Sequence, residues 1–496
     1  MYKLHLILKY LRKRRIAWVS LLAVMLCTAM VLVVISVMGG WLRMFRSQFH
    51  GLVGDVIVSG DSLTGFPHYE EMIQRIEALP EVRAAVPVIQ TFGLVNIDNR
   101  GRKGVQVVGY PIERIGLVND FPTSLYRQHG QYIESAEDSD VSPQERQEYR
   151  RKAEEGATKP SFDKPLPADV YRRLVPGARS DVNQWPGMIV GSSLVGIRKD
   201  RAGRVHHHPD LYTWWVRLTT VAISPDTASP DLATDKGEMN FWVVDDSRTK
   251  IYQQDSATVY VPFDVLQKLL RMEPQEYEDV KTGQKKLDPA RTSEIHVGVK
   301  PGHDLKAVRA EVKRIVDEIV QQRGISQAYP ITVETWEESQ AMFLDAIEKE
   351  VVLVTFLFGI ISLVAVFLIF CIFYMIVVEK TKDIGIIKSV GATSGGVAGI
   401  FLGYGLAIGI VGAALGFVAS FFIVRNINFL HAWMGRVMGI EIWNPEVYAF
   451  DSIPDTMDPR TVAIILLVAV IASVVGSVIP AWRAARMNPV EALRWE

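Results

Sequence analysis

The sequence has little cysteine, no excess of charge of one sign and no nucleotide-binding loop. Its 496 residues include two cysteines, Cys27 and Cys371, and each lies in an apolar run, which excludes a disulfide framework and a cysteine-based metal site. Lys and Arg number 54 against 55 Asp and Glu, so the net charge of -1 provides no field that would hold nucleic acid. No Gly-Lys dipeptide occurs, so a P-loop is absent, and we expect no enzymatic activity, catalytic residue or cofactor in this chain.

Long apolar runs are what the sequence does have, and 49% of its residues are hydrophobic. A helix needs about 20 apolar residues to cross the hydrocarbon core of a bilayer. The uncharged runs predict membrane-spanning helices at residues 16–42, 351–378, 397–424 and 461–482. Residues 389–396, ahead of the third span, are predicted to form a glycine-containing turn. The first run is too long for the apolar region of a signal peptide, so we expect it to be retained as an anchor.

Basic residues predict how these spans are oriented. Residues 1–15 carry six Lys or Arg and no acid, which favours a cytoplasmic N-terminus. Four spans then place residues 379–396 and the tail 483–496 in the cytoplasm. Residues 43–350 and the loop 425–460 are placed outside it.

The large outside segment is predicted to be a mixed α/β domain. Runs rich in β-branched and aromatic residues predict strands at 55–59, 105–110, 188–191, 216–223, 241–244, 258–261 and 295–299. Apolar residues at steps of three and four predict amphipathic helices at 69–79 and 305–322. The polar stretch 134–167 is predicted to be an inserted surface segment with one helix near 143–155. The expected fold class is therefore four transmembrane helices with a large mixed α/β extracytoplasmic domain.

Glycines at steps of four, three and four mark one face of the third span. Such small residues let two helices approach closely in lipid, where packing replaces the hydrophobic effect. Glycine is also commoner in membrane helices in general, but four on one face favour packing. The residues are Gly405, Gly409, Gly412 and Gly416.

The most informative segment lies between the second and third spans, at residues 379–388. Ile384 and Ile387 can share one helical face, with Lys380 and Asp383 near it. A short amphipathic helix of this kind can fill a groove on a partner protein. The alternative is a loop whose lysines reach towards lipid headgroups, and the residues alone do not separate the two.

Two motifs carry a resemblance to a known family. Residues 379–393, EKTKDIGIIKSVGAT, resemble the coupling segment of FtsX/MacB-type ABC transporter permeases, and residues 480–494, PAWRAARMNPVEALR, resemble the C-terminal signature of that superfamily. The superfamily shares the layout of one span, a large outside domain and three further spans. Further similarities to the Lol-type lipoprotein-releasing permeases (the LolC/LolE family) occur at residues 107–111, 187–194, 335–338, 350–365, 447–454 and 458–459.

The resemblance implies a permease that works by mechanotransmission in a bacterial inner membrane, with a MacB-like periplasmic core domain. It implies a separate cytoplasmic ATPase that binds ATP, a second permease copy or paralogue, and membrane lipid as surroundings. It also implies a lipoprotein or other amphiphile as cargo, and a periplasmic carrier. Its coupling residues would be Glu379, Lys380, Asp383, Ile384, Ile387 and Lys388. Two alternatives stay open: a membrane-tethered sensor or scaffold, and a MacB-like efflux permease with a separate ATPase.

Other polar clusters are expected to be structural. Consecutive histidines rarely all point in one direction, so we predict that His206, His207 and His208 with Asp210 form no metal site. The acid pair Asp245 and Asp246 is predicted to be a solvated surface.

Overall fold

The computed structural model describes residues 15–60, 64–97, 101–137, 141–175, 182–197, 208, 210–221, 236–278, 285–325, 330–438 and 453–494. These residues divide into two compact units. Unit 1 takes in the described residues up to 44 and all of those after 342. Unit 2 takes in the described residues from 45 to 342. The basic stretch 1–14 and the resembling stretch 447–452 lie outside the described residues.

The helices and strands of the described residues are numbered here in chain order. The helices are α1 (Arg15–Val53), α2 (Tyr69–Glu77), α3 (Ile112–Ile115), α4 (Gln131–Glu137), α5 (Pro143–Thr158), α6 (Ala168–Leu174), α7 (Tyr252–Ala257), α8 (Phe263–Leu269), α9 (Leu305–Arg323), α10 (Trp336–Ser339), α11 (Ala341–Glu379), α12 (Thr381–Ser389), α13 (Ser394–Arg425), α14 (Ile427–Met438), α15 (Pro459–Arg486) and α16 (Pro489–Arg494). The strands are β1 (Val56–Ser59), β2 (Phe66–Pro67), β3 (Val82–Ile97), β4 (Arg102–Tyr110), β5 (Gly187–Gly191), β6 (Trp215–Val221), β7 (Lys236–Ser247), β8 (Thr258–Pro262), β9 (Gln275–Glu278), β10 (Lys285–Asp288), β11 (Arg291–Thr292), β12 (Glu294–Val299) and β13 (Thr332–Thr335).

Four of the described helices, α1, α11, α13 and α15, are long and apolar enough to cross a membrane. Each contains one of the predicted apolar runs. Helix α13 begins at Ser394, because the Thr393 hydroxyl accepts a hydrogen bond from the Gly396 amide at 3.1 Å and caps the helix. The predicted turn at 389–396 is thus shorter in the structure. Helix α14 lies in a stretch that the sequence predicted only as a loop.

The glycine face of α13 contacts two different neighbours in unit 1. A Cβ added at Gly409 would stand 2.9 Å from the Cβ of Ser473 on α15, and Gly405 abuts Ser477 on the same helix. The Ser473 hydroxyl also donates to the Gly405 carbonyl at 2.8 Å. Further along, a Cβ at Gly412 would stand 2.7 Å from Val24 of α1. Gly416 faces α1 as well, with the Met25 carbonyl 2.8 Å from the position of an added Cβ. The face therefore joins α15 at one end and α1 at the other.

Unit 2 is built on a nine-stranded sheet of described strands in the order β13-β1-β12-β3-β4-β8-β5-β7-β6. The 16-residue strand β3 organises it, because Val82–Val88 pairs with β12 whereas the later residues pair with β4 and, from Gly93 to Ile97, also with β6. The β3–β6 pairing closes six strands into a barrel. Apolar side chains of those strands, among them Ile89 and Phe241, form one buried cluster.

The remaining strands of the sheet are covered by helices α2 and α9. Val312 and Ile319 of α9 are fully buried against Met72 of α2 and the residues of β1 and β12. The amphipathic pattern of 305–322 had predicted this helix, and the structure confirms it as α9. The predicted strands at 55–59, 105–110, 188–191, 241–244, 258–261 and 295–299 are confirmed too, and β6 confirms the described part of 216–223. The fold class is confirmed as well.

The acid pair Asp245 and Asp246 corrects one prediction, because both residues are fully buried. The Asp245 carboxylate accepts hydrogen bonds from the backbone amides of Arg127 and Gln128, at 2.7 and 3.2 Å, and so holds the chain just ahead of the inserted segment. Burial and the neighbouring Asp246 raise the pKa of Asp245 to about 7, while Arg127 acts to lower it. The end of strand β7 is polar in sequence, and only the tertiary fold shows that its side chains are buried.

The two-sided glycine face generates a stability prediction. Gly412→Leu should lower the stability of the detergent-solubilised protein by about 1 kcal/mol or more, because leucine would separate α13 from α1. Thermal unfolding of the purified chain measures this. Gly359→Leu is the matched control, since an added Cβ at Gly359 of α11 meets nothing within 4 Å. Equal melting temperatures for the two variants would contradict the packing role of the glycine face.

Candidate functional site

Helix α12 lies between the second and third spans, where the sequence left open whether the segment is a short helix or a loop. One residue, Lys380, separates it from α11, and its ammonium group pairs with the carboxylate of Asp383. The Thr381 hydroxyl donates to the Val378 carbonyl of α11 at 2.8 Å. Lys380 itself has φ −100° and ψ 12°, outside the helical region, so α12 begins as a separate helix after α11.

One face of α12 is packed inside unit 1. Ile384 is 4% exposed and lies in a cluster with Val377 of α11, Val397 of α13 and Ala484 of α15. Removing such a side chain from water stabilises the contact by about 1.5–3 kcal/mol. Through Ile384, helix α12 contacts three of the long helices.

Lys388 attaches the other end of α12 to the end of α15. Its ammonium group donates to the carbonyl oxygens of Ala485 and Met487 at 2.7 and 2.8 Å. The last carbonyls of a helix lack partners within the helix and carry partial negative charge, so a cation there is favourable. Helix α16 then packs back against α12, and its Ala492 is buried.

The opposite face of α12 and the turn after it are exposed. Ile386 is 52% exposed and Val390 is 84% exposed, and these two residues are four positions apart. Lys382, a further four positions back, is exposed as well. Together Lys382, Ile386 and Val390 form a stripe that we call the exposed stripe, with two apolar side chains and one basic one.

The six coupling residues that the resemblance implies differ in their exposure and in their contacts. Glu379 is the exposed last residue of α11, and Lys380, Asp383 and Lys388 make the polar contacts described above. Ile387 is half-buried. Ile384 is enclosed by other parts of this chain, so the apolar side chains that the helix and the turn after it leave exposed are Ile386 and Val390.

Sequence reasoning missed Ile386 and Val390. Their spacing of four was visible in the sequence, but the spacing of Ile384 and Ile387 was equally good. What decides between the two faces is the position of Ala484 and Val397, which come from distant parts of the chain.

The histidine cluster gives no sign of a metal centre in the part of the chain that the structure describes. No group of three or more His, Cys, Asp or Glu side chains is arranged there to hold a metal ion. Of the predicted cluster, His208 and Asp210 are described, and Asp210 accepts a hydrogen bond from the Trp214 indole at 3.3 Å. His206 and His207 lie outside the described residues.

Two protein-family models match the chain, and they cover different parts of it. Residues 355–489 match the FtsX-like permease C-terminal family, a range that includes α12, α13 and all of α15. Residues 17–145 match the MacB-like periplasmic core domain, a range that begins in α1 and continues into unit 2.

Individual relatives are similar over part of their length. The lipoprotein-releasing system transmembrane protein LolC of Neisseria meningitidis is 30% identical over 171 residues, which cover 34% of this chain and 41% of that protein. An uncharacterized ABC transporter permease of Methanocaldococcus jannaschii is 27% identical over 202 residues, or 41% of this chain and 46% of that protein. The chain thus spans less than half the length of these curated relatives.

Among solved structures, the periplasmic region of MacB from Actinobacillus actinomycetemcomitans matches 59% of this chain and 94% of that chain. The sequence identity is 9% and the TM-score is 0.25. The resemblance that the motifs predicted is confirmed by the two family models and by the similarity to LolC. The chain is therefore similar to the MacB-like periplasmic core domain over residues 17–145 and to the C-terminal domain of FtsX-like permeases over residues 355–489.

Proposed function

We propose that this chain is the permease subunit of an ABC transporter that releases lipoproteins, or another amphiphile, from the outer leaflet of a bacterial inner membrane. The observation that carries the proposal is the exposed stripe on α12. Ile386 and Val390 present apolar surface, and Lys388 and Ile384 fix the same helix to the long helices. A surface of this kind suits a cytoplasmic ATPase, which would bind it and move it.

The motion would pass through contacts within unit 1. An ATPase that pushes on the exposed stripe would displace α12 together with the end of α15, because Lys388 bonds two carbonyls there. Helix α15 packs on α13 at Gly405 and Gly409, and α13 packs on α1 at Gly412. Close-packed helices transmit displacement because their interfaces have little free volume. A displacement of α12 would therefore be passed to all four long helices.

The cargo follows from the similarity to LolC, whose name describes a lipoprotein-releasing system. A buried acyl chain is stabilised in the bilayer by about 0.8 kcal/mol for each CH₂ group, so its extraction requires an energy source. The chain itself has no P-loop, which assigns ATP hydrolysis to a separate subunit. We propose that a second permease copy or paralogue completes the transporter, and that a periplasmic carrier receives the cargo.

A substitution in the exposed stripe tests the coupling role. Ile386→Asp should leave the amount of chain in the membrane unchanged but abolish capture of the ATPase, because a carboxylate would be buried at the contact without a partner. Pull-down of the ATPase from solubilised membranes measures this. Lys382→Ala, in the same stripe, is the matched control and should reduce capture much less.

Three outcomes separate the candidate functions. Loss of capture for Ile386→Asp alone supports the ATPase-coupling function. An equal or larger effect of Lys382→Ala would instead show that the segment binds lipid headgroups through its lysines. Full capture by Ile386→Asp, or the absence of any ATPase from the wild-type preparation, would contradict coupling and favour a sensor or scaffold.

The orientation of the spans is a separate prediction. In a variant without Cys27 and Cys371, a single cysteine at Ser161 should react with an impermeant maleimide in spheroplasts, and one at Ser389 should not. The proposal places Ser161 in the periplasm and the exposed residue Ser389 in the cytoplasm. Reaction at Ser389 in sealed spheroplasts, without reaction at Ser161, would show that the orientation is reversed.

A further inference from the structure

We propose that Asp55 is a joint residue of unit 2, which ties the end of helix α1 to the start of helix α10 so that the two segments move together. The inference rests on the proposed function, because it identifies residues through which displacement of the membrane helices would reach the α/β domain. Helix α1 ends at Val53, and α10 is followed at once by α11. These are two of the places where the chain passes between the long helices and unit 2.

Asp55 makes four hydrogen bonds to four different residues. Its backbone amide donates to the Val297 carbonyl at 3.0 Å, and its backbone carbonyl accepts from the Trp336 amide at 3.1 Å. One carboxylate oxygen lies 2.7 Å from Nε2 of His50, and the other accepts from the Val299 amide at 2.6 Å. One residue thus holds the last turn of α1, the first residue of α10 and the central strand β12.

The end of α1 has further attachments that prevent it from turning independently. The Leu52 carbonyl accepts a hydrogen bond from the Asn119 amide side chain at 2.7 Å, and the Gly51 carbonyl accepts from the Asp120 backbone amide at 2.7 Å. These are carbonyls that a helix end leaves without internal partners. Gly54 then turns the chain with a φ of 83°, and a Cβ there would stand 2.8 Å from Val118.

The start of α10 is held with similar precision. Trp336 is 7% exposed, and its ring stacks on the His50 ring with centroids 4.9 Å apart. The Thr335 hydroxyl and the Glu338 carboxylate form a capping box around the first turn. Strand β13, which ends at Thr335, pairs antiparallel with β1 just after Asp55.

The His50 side chain contacts both Asp55, which follows α1, and Trp336, the first residue of α10. It bonds to the carboxylate of Asp55 and stacks on Trp336, yet 43% of it is exposed. A partly exposed side chain can be replaced without opening a cavity in a core. The joint can therefore be loosened by substitution of His50 while the sheet of unit 2 stays intact.

Hydrogen exchange of the purified full-length chain tests the joint directly. His50→Ala should speed amide exchange about fivefold, the effect of losing one hydrogen bond, in residues 50–55 and 335–340 alike. His50→Gln keeps a group that can donate to Asp55, and His50→Phe keeps only the stacking. The exposed residue His303 provides the control His303→Ala, which should change neither segment.

A rise in both segments for His50→Ala and His50→Phe, with a smaller rise for His50→Gln, supports the joint. A rise confined to residues 50–55 would overturn it, because the two segments would then open independently. This comparison needs no ATPase, so it decides the joint even where the ATPase-capture experiment contradicts the proposed function.

Transmission is tested in proteoliposomes with the co-purified ATPase and a synthetic triacylated lipopeptide as probe. We expect His50→Ala to keep ATP hydrolysis but to release about fivefold less lipopeptide per ATP, with recovery in His50→Gln. An unchanged ratio of release to hydrolysis would show that Asp55 and His50 do not transmit the motion.

Discussion

The contact between Lys388 and the end of α15 is the interaction on which the rest of unit 1 depends. It turns α12 so that Ile384 enters the chain's own core while Ile386 and Val390 face outward. An ammonium group donating to two helix-terminal carbonyls is charge-assisted and satisfies groups that would otherwise lack partners. If α12 were turned by half a rotation, the apolar surface offered to a partner would be a different one.

Beyond the Lys388 contact, two kinds of interaction join the described elements. The glycines of α13 let α15 approach from one side and α1 from the other, in each case with backbone or short side chains at the interface. In unit 2, polar contacts rather than small residues fix the chain, and Asp55 binds the ends of two helices at once. Small residues therefore bring the apolar helices close together, whereas hydrogen bonds attach the ends of α1 and α10 to the α/β domain, whose core is apolar.

Local patterns predicted the parts of the fold that depend on local physics. Apolar runs of membrane length predicted α1, α11, α13 and α15, and amphipathic spacing predicted α9. The long strand β3 was missed, because Pro87 and two polar residues, Gln90 and Thr91, interrupt its apolar pattern and because its two halves pair with different strands. Long-range pairing of this kind leaves no periodic signal in one sequence.

The candidate site likewise has features that local sequence pattern predicted and features that depend on long-range contacts. The motif at 379–393 located the segment, yet it did not say which isoleucine faces inward, because that depends on Ala484 some hundred residues away. The burial of Asp245 was missed for the same reason, since its carboxylate bonds to the amide of Arg127, 118 residues earlier in the chain. Short-range pattern gives the position of a helix, and tertiary contacts give its orientation.

Site-specific photo-crosslinking at the exposed stripe tests whether α12 binds the ATPase. A benzophenone amino acid at Val390, activated in intact membranes, should form a covalent product with an ATP-binding subunit. The same group at Glu238, on the exposed part of strand β7, should not form that product. A product with the ATPase from position 238, or none from position 390 in membranes that contain the ATPase, would contradict the account of α12 as the coupling helix.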